Sequence, residues 1–288
     1  MDKHELKQMV AQLLQELEHK QPEQTRTETA DEAVPDLTKM DLRQTYLVND
    51  PADGPLFQRL KKKTPARLGL GRCGARYKTM SLLRFRADHA AAQDSVFSLV
   101  TPDFYEKNNL PFVQTMCKDK DQYLTRPDLG RRFDEKNQAI IREVCGNSPR
   151  VLLIIGDGLS SNAIMANALD CAAAIRQGLK TAGISLGQSL FIQYARVGAM
   201  DHIGLLTGAE LICMLVGERP GLATSESMSA YITYKPYPGI SESKRTVVSN
   251  IHREGTPSVE AGAYIAELLR TMLEKKASGI DLRESHDR

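Results

Sequence analysis

The order of apolar segments in residues 110–288 constrains the fold more than any other feature of this sequence. Short apolar runs typical of β-strands alternate there with segments long enough to form helices. Runs such as VLLIIG at 151–156 are apolar throughout, which predicts strands that are buried on both faces of a parallel sheet. We therefore expect an α/β fold with a Rossmann-like, doubly wound, mostly parallel sheet. The predicted strands are 113–117, 151–156, 190–197, 211–217, 229–234 and 245–251, and the predicted helices are 130–145, 160–179, 200–208 and a final helix.

The final helix has recognisable ends. Thr256 is the expected N-cap, and Pro257 follows it at the first helical position, where its missing N–H does no harm. Gly279 is expected just past the C-terminal end, where glycine is common.

The N-terminal segment differs in texture from the rest of the chain. In residues 1–20 the apolar positions follow helical spacing, which predicts an amphipathic helix. Residues 21–45 are mostly polar and are expected to form a flexible linker. A helix on such a tether favours a docking or targeting role, and folding back onto the body is the alternative. The apolar stripe consists of Leu6, Met9, Val10, Leu13, Leu14 and Leu17.

Residues 46–109 are predicted to form a small helical domain. Met80, Leu83, Ala87 and Ala90 recur at helical spacing and indicate a helix beginning near Thr79. The stretch 54–87 contains ten Lys or Arg residues and no acid, whereas the whole chain has 38 basic and 36 acidic residues. With few aromatics and a nearly neutral chain, a nucleic-acid surface is disfavoured. An acidic partner subunit, a phosphate-bearing ligand and a solvated basic face remain open.

Cysteine spacing and hydropathy exclude several other classes. The five cysteines are scattered without metal-ligand spacing, so we expect reduced, mostly buried thiols and no metal site. The sequence has no run of 18 apolar residues and no basic segment followed by an apolar one at its start. We therefore expect no membrane association and no secretory signal.

Candidate ligand-binding positions follow the predicted strands. Gly156–Ser161 follows an apolar strand and opens a helix, with Ser160 or Ser161 as the N-cap. The loop 217–221 has glycine at both ends and holds Glu218 at the end of the next strand. Val197 and Val247 would lie along the same edge if their strands are parallel. Since ligands of open α/β sheets bind outside the carboxyl ends of the strands, these turns could line one crevice.

Two other motifs are weaker. Residues 69–74 match GxGxxG, but no buried strand precedes them, so we interpret the match as coincidental. Residues 250–255 resemble the DxHxxG motif by which some B12 enzymes supply a histidine to cobalt, with Asn250 in place of aspartate. Because asparagine cannot supply the charge that strengthens a histidine ligand, His252 is interpreted as a structural loop residue.

Longer blocks closely resemble the small (light) subunit of ethanolamine ammonia-lyase. The resemblance covers roughly residues 45–285, and residues 71–90 extend it into the helical segment. The blocks are YLTRPDLGRRF (123–133), GDGLSSNAI (156–164), QYARVGAMDHIG (193–204), GERPGLATSESMSAY (217–231), SNIHREGTPSVEAGA (249–263) and MLEKKASGI (272–280).

The resemblance implies an ammonia-lyase that uses adenosylcobalamin to convert ethanolamine to acetaldehyde and ammonia. It implies a large TIM-barrel subunit that binds the substrate, and a small subunit that covers the cobalamin, whose own dimethylbenzimidazole stays on cobalt. The family's cobalamin contacts fall on Val197, Glu218 and Val247. Family members carry cysteine at the position of Val247, so a contact there would use the main chain. The resemblance also implies a bacterial microcompartment location, with residues 1–20 docking to the shell or cargo, or otherwise a cytoplasmic one.

Two other functions remain as alternatives. A stand-alone nucleotide-dependent oxidoreductase would need a phosphate-binding turn after the first strand of the sheet. A non-enzymatic adaptor would use only the N-terminal helix and the basic stretch.

Overall fold

A computed structural model of the chain describes residues 36–64 and 66–284. The chain divides into two units, Met1–Met40 and Asp41–Arg288. The predicted helix at 1–20 and the linker up to residue 35 lie outside the described residues. In the first unit, a short 3-10 turn spans Leu37–Lys39. In the second unit, the last residues of the predicted linker form a turn in which Leu42 is buried.

The second unit is a mixed α/β structure, as the apolar pattern predicts. Its described part contains nine α-helices: α1 (Gly54–Lys61), α2 (Thr79–Phe97), α3 (Pro102–Lys107), α4 (Lys120–Thr125), α5 (Glu135–Cys145), α6 (Ser161–Thr181), α7 (Ala199–Thr207), α8 (Ser258–Lys275) and α9 (Ile280–Glu284). Its strands are β1 (Arg72–Cys73), β2 (Arg76–Tyr77), β3 (Phe112–Gln114), β4 (Val151–Gly156), β5 (Leu190–Gln193), β6 (Leu211–Gly217), β7 (Met228–Tyr234) and β8 (Arg245–Ile251).

Six strands form the main sheet in the order β3-β5-β4-β6-β7-β8. The four strands β3, β5, β4 and β6 are parallel, and β7 pairs antiparallel with both β6 and β8. The prediction of a mostly parallel sheet is therefore confirmed. The chain leaves β4 for β5 on one side and then returns past β4 to β6 on the other, so the strand order reverses around β4.

Helices cover both faces of this sheet. Alternate residues of β4 point to opposite faces, so Leu153 and Ile155 join one apolar cluster while Leu152 and Ile154 join the other. The first cluster includes the apolar sides of α6 and α8, and the second includes those of α5 and α7. All six residues of β4 are buried, as the continuous apolar run at 151–156 predicts.

Several predicted boundaries are wrong. The strand beginning at Leu190 ends at Gln193 rather than Val197, because Tyr194 takes a left-handed backbone conformation with φ 57°. The first predicted strand, 113–117, is instead Phe112–Gln114. The helix predicted at 130–145 is a 3-10 turn, Leu129–Arg131, followed by α5.

The ends of the final helix also differ from the prediction. Pro257, not Thr256, is the N-cap of α8, and Thr256 instead forms an isolated bridge to Ile251. The helix ends at Lys275, where Lys276 adopts the left-handed conformation expected of a C-terminal cap. Gly279 lies further on, with φ 62° and its backbone against the carbonyl of Ser243.

The helix α2 is present as predicted, but its apolar stripe does not face the core. Leu83, from that stripe, is exposed, whereas the buried residues of α2 are the serines Ser81 and Ser95. The Ser81 hydroxyl donates to the Leu70 carbonyl at 2.8 Å, and the hydroxyls of Ser95 and Ser160 lie 2.9 Å apart. Hydrogen bonds therefore hold the inner face of this helix.

A buried ion pair connects the last strand to α7. Arg245, the first residue of β8, donates to both carboxylate oxygens of Asp201 at 2.8 Å. These hydrogen bonds, with that to Glu242, keep the pKa of Arg245 above its ordinary value although burial alone would lower it. The pair fixes β8 against the helix that covers this face of the sheet.

The structure also bears on the cysteines and on membrane-spanning helices. The five cysteines are all free thiols, and four of them are buried. Among the helices in the described part of the chain, none combines the length and hydropathy needed to cross a bilayer.

Candidate functional site

A cleft of about 190 Å³ lies at the carboxyl ends of β4, β5 and β6. It includes Val197 and Glu218, two of the three positions that the sequence analysis selects. Its location matches the expectation that ligands bind where the strand order of an open α/β sheet reverses. The lining residues are Tyr123, Leu159, Ala195, Arg196, Val197, Val216, Gly217, Glu218, Arg219 and Tyr231.

The carboxylate of Glu218 is held by hydrogen bonds from the neighbouring strands. Its Oε1 accepts from the Ser229 hydroxyl and, at 3.2 Å, from the Asn250 N–H, while Oε2 accepts from the Ser227 hydroxyl at 2.7 Å. Burial raises the pKa of Glu218, but these hydrogen bonds and the nearby His252 outweigh it and lower the pKa below the ordinary value. Glu218 is thus an oriented, ionised acceptor.

A second polar group in the cleft is the guanidinium of Arg196. One of its terminal nitrogens donates to the Tyr123 carbonyl at 2.5 Å, and the guanidinium carbon lies 4.3 Å from the centre of the Tyr123 ring. The Tyr123 hydroxyl donates to the Ala195 carbonyl at 3.1 Å, which ties the same segment together. Arg196 Nε is buried and has no hydrogen-bond partner in the described structure. The residues of the cleft therefore include an ionised acceptor, Glu218, and an arginine whose buried Nε has no partner.

Val197 lines the cleft, but it lies in a different structural element from the predicted one. Because β5 ends at Gln193, Val197 lies in the loop before α7 rather than at a strand end. This loop is fixed by the hydrogen bond from the Arg196 N–H to the Gly130 carbonyl at 2.9 Å. Val197 nevertheless lines the cleft at the carboxyl ends of the strands, and its contact with a cofactor stays a prediction.

Val247 does not line the cleft. It is the third residue of β8 and lies opposite Tyr231 of β7, so it is near the middle of the strand rather than at its carboxyl end. Directly opposed residues of an antiparallel pair share a face, which places Val247 on the same side of the sheet as Tyr231, a cleft residue. Its side chain is 44% exposed. Val247 thus extends the surface of the cleft without entering it.

The turns that form the cleft pack tightly against each other. Ser160 is the N-cap of α6, as predicted, and its hydroxyl accepts from the Ala163 N–H at 3.1 Å. A Cβ at Gly217 would lie 2.1 Å from the Ser160 carbonyl oxygen, and a Cβ at Gly158 would lie 2.6 Å from Val216. Glycine at both positions allows the two loops to touch through their backbones.

Gly217→Ala should therefore disturb the cleft. The added methyl group would meet a backbone oxygen that cannot move without shifting the first turn of α6. We expect a loss of about 1–3 kcal/mol in the free energy of unfolding, measured by urea denaturation. Gly221→Ala is the matched control, since a Cβ there meets nothing within 4 Å. Equal midpoints for the two variants would contradict the close approach.

The two weaker motifs have structural roles. Residues 69–74 lead into the antiparallel hairpin of β1 and β2, so they do not form the strand–turn–helix of a dinucleotide site. Both ring nitrogens of His252 are engaged within its own loop, Nε2 with Asn250 Oδ1 at 2.8 Å and Nδ1 with the Glu254 N–H at 3.3 Å.

Comparison with known proteins shows which family this chain belongs to. Residues 55–283 match the family model described as "Ethanolamine ammonia-lyase light chain (EutC)". The ethanolamine ammonia-lyase small subunit of Clostridium perfringens is 55% identical over 295 residues, covering 98% of this chain and all of that protein. The small subunit of Clostridioides difficile is 54% identical with the same coverage, and that of Lachnoclostridium phytofermentans is 60% identical over 89% of this chain and 87% of its own. The chain belongs to the ethanolamine ammonia-lyase light-chain family. Ethanolamine ammonia-lyases are carbon–nitrogen lyases, so this chain is a subunit of an enzyme.

Sequence reasoning missed part of this light-chain cleft. Tyr123 and Tyr231 come from α4 and β7, and no local pattern in either segment indicates that the side chain reaches the edge of the sheet. Arg196 directly precedes Val197 in the segment QYARVGAMDHIG, and this adjacency is a local signal for it. Ser229 begins the predicted strand 229–234 and Ser227 lies two residues before it, a spacing that in an extended chain places both side chains on one face, here beside Glu218.

Proposed function

We propose that this chain acts as the small subunit of an ammonia-lyase that converts ethanolamine to acetaldehyde and ammonia together with a large subunit. Family membership and the small-subunit relatives support this reading. Among the cleft residues of the described structure, Glu218 is the one carboxylate, and its lowered pKa suits hydrogen bonding rather than proton donation. The substrate chemistry is therefore assigned to the large subunit.

The proposed cofactor is adenosylcobalamin, and the cleft residues suit it. The rim of the corrin carries amide groups, each with a carbonyl acceptor and N–H donors. Arg196 Nε lacks an acceptor, and Glu218 Oε2 has one hydrogen bond and capacity for another. When bound, adenosylcobalamin supplies radical chemistry through homolysis of its cobalt–carbon bond.

The residues of this chain would bind and orient the cofactor. Glu218 would accept from an amide N–H, Arg196 would donate to an amide carbonyl, and Val197 would provide apolar contact. Val247 would extend this surface through its exposed side chain and backbone. The engaged ring nitrogens of His252 agree with dimethylbenzimidazole, rather than a histidine of this chain, remaining on cobalt.

The observation that carries the proposal is the meeting of Val197 and Glu218 in one cleft at the carboxyl edge. Both positions are selected independently by the family resemblance. The helices on both faces and the reversal of strand order around β4 also support a Rossmann-like description of this part of the chain.

Reconstitution tests the function directly. The purified chain is mixed with the large subunit, adenosylcobalamin and ethanolamine, and acetaldehyde is measured. The proposal is supported if acetaldehyde forms in the complete mixture and does not form when any component is left out. Turnover of a substrate by this chain with NAD would support an oxidoreductase instead, and no turnover in either mixture would favour an adaptor.

We further propose that residues 1–20 direct the enzyme into a bacterial microcompartment, and that the enzyme is otherwise cytoplasmic. This rests on the amphipathic pattern, since these residues lie outside the described structure. Deleting residues 1–20 should leave activity with the large subunit intact but abolish co-purification with microcompartments. Leu13→Asp should mimic the deletion, whereas Gln12→Asp, off the apolar stripe, should not. Equal encapsulation of both variants and the wild type would contradict the proposal.

A further inference from the structure

The helix α2 has its polar side inward and an apolar side outward. Ser81, Asp88 and Ser95, spaced by seven residues, lie on one side of the helix. Ser81 and Ser95 are buried, and Asp88 forms ion pairs with Arg67 at 2.6 Å and Arg84 at 3.0 Å. This is the side by which the helix is attached to the rest of the unit.

The opposite side carries Leu83, Ala90 and Phe97, again spaced by seven residues. Leu83 is 41% exposed and Phe97 is 57% exposed, and Leu82 beside them is also exposed. Within the described part of the chain, no residue of α2 belongs to any of the buried apolar clusters. A surface helix ordinarily turns its apolar stripe to the core, so this arrangement is reversed.

The same reversal occurs in α1. Its buried residue is Lys61, whose ammonium group donates to the Leu68 carbonyl. Leu56 and Leu60, which share a face at a spacing of four residues, are exposed. Between α1 and the β1–β2 hairpin lies a concavity of about 590 Å³, whose lining includes Phe57 and the exposed side chains of Val48, Leu68 and Tyr77. Exposed apolar side chains are thus concentrated in this segment, as they are at protein–protein interfaces.

The charge of this surface indicates what kind of partner would bind it. The segment 54–87 has ten basic residues and no acid, and six of the ten are exposed: Arg59, Lys62, Lys63, Arg72, Arg76 and Arg86. Arg86 is among them, on the same side of α2 as Leu82 and Leu83. A second copy of this surface would bring like charges together, so a self-complementary dimer is disfavoured. The fitting partner has an apolar centre with acidic groups at its rim.

We propose that the outer faces of α1 and α2, with the intervening hairpin, form the principal docking surface for the large subunit, which presents an acidic-rimmed apolar face. This inference rests on the proposed function, because it takes the large subunit as the partner. It gives the basic stretch a specific role, since exposed cations such as Arg86, beside Leu82 and Leu83, would orient the approach of the large subunit.

The first test is binding of the full chain to the large subunit, measured by sedimentation or calorimetry. Leu83→Asp combined with Phe97→Asp should weaken association by about tenfold or more. The matched control is Val259→Asp combined with Tyr264→Asp, on the exposed side of α8, which should bind as the wild type does. Arg86→Glu combined with Arg76→Glu should weaken association most at low salt, because exposed charges are screened as salt increases.

Hydrogen exchange provides a second measurement that does not depend on variants. Peptides from 54–61 and 79–97 should gain protection when the large subunit is added. The inference would be overturned by unchanged protection of these peptides, or by wild-type affinity of the Leu83/Phe97 variant for the large subunit. The proposed function would still stand in either case if the wild-type complex is active. No association of the wild-type chain would overturn both. If the wild-type chain self-associates and the Leu83/Phe97 variant does not, the occupant of this surface is a second copy of the chain. If deleting residues 1–35 from the isolated chain lowers the protection of peptides 54–61 and 79–97, the occupant is that segment. Either result would overturn the inference.

Discussion

Replacing Arg245 by methionine is expected to lower the free energy of unfolding by about 3–5 kcal/mol. The Arg245 side chain is 2% exposed and pairs with both oxygens of Asp201 at 2.8 Å. Methionine fills similar space but leaves the Asp201 carboxylate with no cation beside it in a site that excludes most water. The loss should be measured by urea denaturation, with the slope used to check that unfolding remains two-state.

The matched control uses the other carboxylate bound to Arg245. Glu242 lies 2.7 Å from Arg245 Nε, but its side chain is 72% exposed, so Glu242→Gln should cost less than about 1 kcal/mol. Combining Arg245→Met with Asp201→Leu should restore much of the lost stability, because the unpaired charge is then gone. If Arg245→Met is no worse than Glu242→Gln, the buried pair does not have the role described for it.

Glu218→Gln should weaken cobalamin binding by the assembled enzyme by roughly 10- to 150-fold, equivalent to about 1.5–3 kcal/mol for a hydrogen bond to a charged group. The reason is loss of the ionised acceptor that the Ser227 and Ser229 hydroxyls hold in place. Binding can be followed by the absorbance of hydroxocobalamin, which separates affinity from turnover. Unchanged affinity would remove Glu218 from the candidate site.

Alanine is a poorer choice at this position, because Glu218 also supports the fold. Glu218→Ala would leave Ser227, Ser229 and the Asn250 N–H without their shared acceptor. Since the folded-state pKa of Glu218 is lowered, the carboxylate stabilises the fold above the unfolded-state pKa, and this contribution is lost as pH falls through the folded-state value. Arg219→Gln, at the exposed neighbour in the same loop, is the control for nonspecific change in cleft charge.

Sequence reasoning captured the parts of this fold that depend on continuous apolar pattern. The run 151–156 predicts a strand buried on both faces, and β4 matches it residue for residue. The antiparallel direction of β7 was not predictable, because strand direction depends on pairing between distant segments. Val247 was expected at the carboxyl ends of the strands, but it is the third residue of β8, whose bounds the sequence predicts correctly as 245–251. That error concerns the position along the strand and not the pairing of strands.

In the candidate site, too, some residues are marked by a local sequence signal and others are evident only from the structure. Glu218 was found because a loop with glycine at both ends follows an apolar strand, which is a local signal. Arg196 Nε stands out only when burial and hydrogen bonding are known, since nothing local marks an arginine whose donor lacks a partner. Val197 was selected on the assumption of a longer strand, and it reaches the cleft because the loop after Tyr194 turns it there.

The outward leucines and phenylalanine of α2 have a consequence for how cells produce this chain. If the large subunit covers this face as proposed, a copy made without it keeps these side chains in water, where they favour aggregation and recognition by chaperones and proteases. Matched synthesis of the two subunits would then protect the small one, and surplus copies would be short-lived. Solubility on overexpression should accordingly improve when the large subunit is produced alongside.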